Sequence, residues 1–314
     1  MKTADNFGST HSINAPILVT ADNRVSPVNL SMESRYVDTV QEVTNIHLTV
    51  SLHSHDFFEI LYCRNAADVE YLVGAERYRL QKGDIVFIPP GIPHCPILPE
   101  RMPEVYRRDV IRMSKEFIAN ILTLNIEEEP EKVSDPFLLR TGGTRWEYLG
   151  EWFHQGIVEA EEKQHGWELA LIANTIKLMV YLYRALNAQT TAPMKAEKPE
   201  LLDQVLEYIE LHLHEKITLS EVAHHFYVSQ STITQTFRNK LGLSFYRCVT
   251  QARLIAAKRL IEGDQSLESI AEAVGFMDYS AFYRAFKQEY GVSPRQYRIS
   301  HNQNPKSRSF GGAL

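Results

Sequence analysis

Hydrophobic positions along the chain follow two different periods. Between about Asn45 and Pro99 they come in short runs, as in Ile46-His47-Leu48-Thr49-Val50, Glu59-Ile60-Leu61-Tyr62-Cys63 and Asp84-Ile85-Val86-Phe87-Ile88. Turn-forming residues at Gly74, Lys82-Gly83 and Pro89-Pro90-Gly91 separate the runs. Short strands at this spacing predict an all-β barrel or sandwich. After Arg145 the period becomes helical. Trp146, Leu149, Trp152 and Phe153 mark one face, and Leu169, Ile172, Ile176, Met179, Val180 and Tyr183 mark the face of a further helix. Residues 188–199 are small, polar and proline-containing, which reads as a linker. From Leu201 to about Arg298 helix follows helix. Residues 1–25 read as a flexible arm and 301–314 as a polar tail. The fold class expected is α+β and multidomain, with a β-barrel and its following helices over 26–187 and an all-α domain over 200–300.

The all-α half contains an imperfect repeat. Val222-Ala223 recurs as Ile270-Ala271, 48 positions on, whereas Phe237-Arg238 and Gly242-Leu243-Ser244 recur as Phe286-Lys287 and Gly291-Val292-Ser293, 49 on. One residue inserted in the intervening turn accounts for the change. Each copy has helix-turn-helix logic. In the first, Thr218 or Ser220 caps a helix carrying Val222, Ala223 and Phe226. Ser229 caps a second helix whose Ile233 and Phe237 face the core. That leaves Gln230, Ser231, Thr234, Gln235 and Arg238 outward, side chains suited to base edges and phosphates. In the second copy Gly275 permits the turn and Asp278 caps a helix with Phe282 and Phe286 inward. Tyr279, Ser280, Tyr283, Arg284 and Lys287 then point outward. Phe245 to Ile261 reads as one long connecting helix. Held by it, the two recognition helices would enter successive major-groove segments about 34 Å apart.

Charge sharpens the division. The chain carries −6 overall, but residues 1–196 hold 19 basic against 26 acidic side chains, and residues 230–298 hold ten basic against six acidic. An acidic domain joined to a locally basic one fits a sensor joined to a double-stranded DNA reader. No uninterrupted apolar run of about 18 residues predicts a membrane span, and the polar Met1–Ser12 shows no secretory pattern. Cys63, Cys95 and Cys248 are scattered and lack zinc spacing, so a reducing cytoplasm and ordinary packing are expected.

The string Ile270-Ala271, Val274-Gly275-Phe276, Tyr279, Phe282, Phe286-Lys287, Gly291-Val292-Ser293-Pro294 and Tyr297-Arg298 strongly resembles the signature of AraC/XylS-type transcriptional regulators. The resemblance runs from Leu201 to Arg298. It implies that both recognition helices touch bases or phosphates at the outward positions, and that activation with RNA polymerase contact is the commoner output. The first reader departs from the pattern, since Ser231, Thr234 and Gln235 are smaller or less charged than in many members.

A second constellation lies in the β half: His53, His55 and Glu59, then Gly83, Pro89, Gly91 and His94. His53, His55 and Glu59 share parity, so one continuous strand would aim all three the same way. The set closely resembles the two cupin motifs, with His47, Ala66 and Leu98 departing from the glycine and asparagine positions. Three imidazoles and a carboxylate suit a divalent metal. They suit equally a metal-free pocket for a small-molecule effector such as a sugar, walled by Phe57, Phe58 and Tyr62, although Phe57 and Phe58 also read as core. The helices of 146–187 dimerise the sensor in the resembling family, and here they would serve that role or cover the barrel. The reading is a non-enzymatic, effector-controlled DNA-binding regulator. The alternatives are a metal-dependent cupin enzyme and a constitutive DNA-binding regulator with a vestigial barrel.

Overall fold

The computed structural model describes residues 24–25, 32–44, 49–50, 52–65, 68–74, 76–99, 101, 104–122, 135–188, 199–261 and 263–302. Most of the expected arm, linker and tail, and most of the run Ile46–Val50, lie outside the described residues; Arg24-Val25 of the arm form a strand, and α10 runs two residues into the expected tail.

Strands β1 (Arg24–Val25), β2 (Val37–Thr44), β3 (Thr49–Val50), β4 (Phe58–Cys63), β5 (Glu70–Val73), β6 (Glu76–Arg79), β7 (Asp84–Ile88), β8 (His94–Ile97), β9 (Tyr106–Met113) and β10 (Phe137–Arg140) form the N-terminal part, with α1 (Lys115–Leu122) before β10. β1 and β3 pair as a short parallel ribbon, and the other strands make two antiparallel sheets, β10-β7-β4-β9-β2 and β6-β5-β8. The register sets Glu59 opposite Arg112 and Leu61 opposite Val110, so alternate residues of β4 and β9 share the face toward the second sheet. The other face, with Ile60, Ile111, Phe87 and Leu139, packs under α2 (Leu149–Glu162) and α3 (Trp167–Ala188). Because β7 is covered on both sides, all five of its residues are buried and its sequence shows no alternation.

The face of α3 that meets the sheet is Leu171, Thr175, Leu178, Leu182 and Ala185. Leu169 is exposed, Val180 and Tyr183 are half-buried, and Ile172, Ile176 and Met179 are half-buried while still packing on the edge of the core. The helix carries apolar residues nearly all round, and the stripe read from the periodicity flanks the buried one, half of it against the core. By length and composition it could cross a membrane, yet its inner stripe is built into the sheet.

The C-terminal part is all helical: α4 (Leu201–Leu211), α5 (Leu219–His225), α6 (Gln230–Lys240), α7 (Phe245–Ile261), α8 (Leu267–Ala273), α9 (Tyr279–Tyr290) and α10 (Pro294–Asn302). The connecting helix α7 belongs to two cores. Phe245, Cys248 and Val249 join Val222, Ala223, Ile233 and Phe237. Leu254, Ala257 and Ile261 join Ile270, Ala271, Phe282 and Phe286.

Candidate functional site

Matching local chemistry builds the two helix-turn-helix units. Thr218 and Ser266 cap the first helices, and Ser229 and Asp278 cap the recognition helices by accepting from Thr232 N and Ala281 N. The turns close on Val228 N to Ala223 O and Phe276 N to Ala271 O, at 3.0 and 2.9 Å. Each turn needs one residue at positive φ. The second unit uses Gly275 (φ +85), where an added Cβ would lie 2.0 Å from the Leu213 carbonyl oxygen. The first uses Tyr227 at φ 55, an uncommon conformation for a bulky side chain.

The outward residues fall where the pattern put them. Gln230, Ser231, Thr234, Gln235 and Arg238 of α6 are exposed, as are Ser280, Arg284 and Lys287 of α9, whereas Tyr279 and Tyr283 are half-buried. The Ser231 hydroxyl bonds Ser229 Oγ, and Thr234 donates to the Gln230 carbonyl. The two glutamines and Arg238 therefore carry most of the outward hydrogen-bonding capacity of the first unit.

Between the two sheets lies a polar centre. His55, Glu59 and His94 are buried, and one ligand atom from each lies within 4.8 Å of the others. Each imidazole places Nδ1 on a backbone oxygen, His55 on Phe57 at 2.8 Å and His94 on Ile92 at 2.9 Å. With Nδ1 as donor, the Nε2 atoms turn lone pairs toward Glu59, at 3.5 and 3.6 Å, and neither has a hydrogen-bond partner. These converging acceptors are satisfied by a shared proton or a bound cation. The residues therefore fit a divalent metal with His55, Glu59 and His94 as ligands.

His53 is the exception. It pairs with His94 through the backbone, and its ring lies beside that of His94, outside the three-residue cluster. The strand is not continuous: residues 54–57 are irregular and β4 begins at Phe58, so shared parity does not bring His53 in. Phe57 stacks on His55 with centroids 3.8 Å apart, and Tyr62 stacks on Phe153 on the opposite side of the sheet.

Burial opposes ionisation of Glu59, but a proton on His55 or His94, which places a positive charge and with His55 a hydrogen bond on the carboxylate, together with Arg112, outweighs it and holds the carboxyl below the usual range. Burial, reinforced by the neighbouring His55, lowers His94 to about 4, so its imidazole is neutral at pH 7. Arg112 Nε lies 3.7 Å from Glu59, and its Nη2 donates to Glu42 at 2.8 Å. Arg108 pairs with Glu42 and donates to Thr44 at 2.8 Å; burial disfavours its charge, but Glu42 more than restores it. Tyr71 and Tyr106 are buried beside them, Tyr71 with its ring 6.4 Å from that of His94 and Tyr106 under the Arg108 guanidinium. Sequence reasoning missed these residues. The available signal was charge at positions 108 and 112, which share parity with the apolar Val110.

The second sheet is also a boundary. Leu72, Cys95 and Ile97, together with Leu52 from the loop beside it, share one hydrophobic cluster with Leu202, Val205, Ile209 and Phe245 of the helical part. Arg77 of β6 reaches Glu200 and Asp203 at the start of α4, at 3.0 and 3.3 Å. Arg259 of α7 donates to the Gly91 carbonyl, and Gly91 N donates to the His55 carbonyl. A cleft of about 70 Å³ lies at this boundary, between Leu52, Leu72 and Pro93 on one side and Leu206, Ile209 and Ile255 on the other.

Residues 40–179 match the family described as AraC-like ligand binding domain, and residues 222–300 match a helix-turn-helix domain family. The HTH-type transcriptional activator RhaS of Escherichia fergusonii is 25% identical over 260 residues, covering 78% of this chain and 86% of that protein. The regulatory protein PocR of Salmonella typhimurium is 35% identical over 109 residues, 34% of this chain. The chain spans about a third of PocR's length, 36%. The solved structure of unsaturated fatty acid bound ToxT from Vibrio cholerae aligns over 86% of this chain and 97% of that one, at 11% identity and a TM-score of 0.38.

Proposed function

Because the chain belongs to the AraC family of transcriptional regulators, with a ligand-binding and a DNA-binding domain, we propose that it reads DNA with α6 and α9 under control of a small polar effector held between the two sheets. The DNA contacts are Gln230, Ser231, Thr234, Gln235 and Arg238, then Tyr279, Ser280, Tyr283, Arg284 and Lys287. His53, His55, Glu59 and His94, with Arg108 and Arg112, line the effector pocket. Paired carboxylates and guanidinium groups beside aromatic rings suit the hydroxyls of a sugar. The sensor spans 26–187 and the reader 200–300. The output is activation through RNA polymerase, the location is cytoplasmic, and the barrel has no enzymatic role.

One observation carries the coupling. The sheet β6-β5-β8 is a single layer with Tyr71 and His94 on the pocket side and Leu72, Cys95 and Arg77 on the reader side. An effector that prefers one position of this layer shifts the reader with it. The part of α3 left open around Leu169, Val180 and Tyr183 is the proposed homodimer contact. The test is capture of fragmented genomic DNA by the full-length protein. Enriched sites with paired half-motifs about one helical turn apart support the reading. No enrichment in either the presence or the absence of candidate sugars refutes it.

The unpartnered Nε2 atoms favour a second reading of the pocket, in which His55, Glu59 and His94 hold a divalent cation that orders the site. Zinc or nickel then raises the unfolding temperature of the wild type and not of His55→Ala. An equal response in both proteins rejects it.

A further inference from the structure

Met277 is 96% exposed, more than any other large hydrophobic side chain among the described residues. It sits immediately before Asp278, the cap of the second recognition helix. An apolar residue in that position ordinarily packs back onto the fourth residue of the helix and fixes how the chain enters it. The first unit follows the rule: Val228 precedes the cap Ser229 and packs on the core that contains Ile233, the fourth residue of α6. In the second unit the role has moved. Phe276, two residues before the cap, packs 5.4 Å from Phe282, the fourth residue of α9.

The repeat explains why. The turn bonds, Val228 to Ala223 and Phe276 to Ala271, are in register at 48 residues, whereas the caps Ser229 and Asp278 are 49 apart. Met277 is therefore the inserted residue. It extends a side chain from the tip of α9 and contributes no packing to the fold.

The N-terminal turn of a recognition helix is the part that enters the major groove, and Ser280 and Arg284 project from the same helix. The only apolar group the base edges present in that groove is the C5-methyl of thymine. An unbranched thioether adapts readily to such a surface. Resting on the DNA-reading function above, we propose that Met277 is a specificity-determining contact of the second reader, packing its thioether against a thymine methyl at the edge of that half-site.

The test uses a duplex selected from a randomised library by the full-length protein, with each thymine of the second half-site replaced singly by uracil. Met277→Ala is expected to keep the wild-type unfolding temperature, because the side chain packs against nothing. It should bind about tenfold more weakly, from the loss of apolar contact. Its salt dependence should equal that of wild type, because no phosphate partner is lost. At one position uracil should weaken wild type about fourfold, the worth of one methyl group, and leave Met277→Ala unchanged. Equal affinity of variant and wild type overturns the proposal, as does the absence of any position where uracil costs wild type more than the variant. Arg284→Ala measured in parallel separates the two levels. If it loses binding while Met277→Ala does not, only the Met277 contact falls. If the protein selects no sequence, the DNA-reading function falls with it.

Discussion

Arg77 is the charged centre of the boundary between barrel and reader. It is 3% exposed and contacts Glu70 on its own sheet, then Glu200 and Asp203 across the boundary. Asp203 is 4% exposed, and its carboxylate also accepts from Glu200 N in the capping box of α4. Arg77→Ala leaves Asp203 buried beside Glu70 without its cation. Removing one member of a buried pair costs roughly 3–5 kcal/mol. Glu200 is half exposed and keeps Lys240 at 3.5 Å, so part of the loss relaxes into solvent. About 2–3 kcal/mol remains on the boundary. At about 1.4 kcal/mol per factor of ten, the undocked population rises roughly 30- to 150-fold. Cys95 reports the opening, because it is 2% exposed and packed in the cluster that joins the two parts. Its alkylation rate in native buffer should rise by that factor. Cys63, buried inside the barrel with its thiol pushed up to about 12, should stay protected. Wild-type labelling of Cys95 in a folded Arg77→Ala protein would refute the reasoning. Parallel acceleration at Cys63 would do the same, since the whole barrel would then have opened.

Tyr227 holds φ 55 while 93% exposed, so Tyr227→Gly should stabilise the protein by about 0.5–1 kcal/mol, read as a higher unfolding temperature. Gly275→Ala should cost more than about 2 kcal/mol in the same assay, because its Cβ meets the Leu213 carbonyl; a neutral effect would contradict the turn geometry. The folded barrel lowers His94 to about 4, below the ordinary histidine value of about 6.5, so the unfolded chain binds the extra proton first. Stability is full above about pH 6.5 and declines as pH falls toward 4, and His94→Gln should flatten urea midpoints across that window. Arg284→Ala should weaken operator binding by about 1–3 kcal/mol in an anisotropy titration, and an unchanged affinity removes Arg284 from the interface.

The helical half was legible because its chemistry is local. Caps, a turn and an apolar pair every few residues specify each unit, and duplication showed each feature twice. Even the inserted residue could be counted, although only the structure identifies it as Met277. The barrel was less legible for physical reasons. Parity arguments assume an unbroken strand, and the irregular stretch 54–57 separates His53 from the cluster that its neighbour His55 joins. Arg108 and Arg112 were missed because a charged residue in a strand ordinarily means a solvated face, whereas here Glu42 and Glu59 accompany them inside. On α3, apolar residues on both sides left the period unable to say which stripe meets the sheet.

The boundary residues belong to the same class of long-range pairing, and they bear on how a signal can travel. The linker expected over 188–199 would by itself allow the two parts to move independently. Across the boundary the contacts are of a different kind: a shared apolar cluster, a buried arginine on the cap of α4, and Arg259 on the loop that His55 also holds. Close-packed interfaces do not deform continuously, so the layer β6-β5-β8 has few positions in which both faces stay packed. Under the proposed function, a ligand that drew His94 or Tyr71 inward would act on Cys95 and Leu72, their neighbours in sequence, on the opposite face. The alternation of a β-strand, which sends adjacent residues to opposite sides, is what would let a single layer carry the proposed effect from pocket to reader.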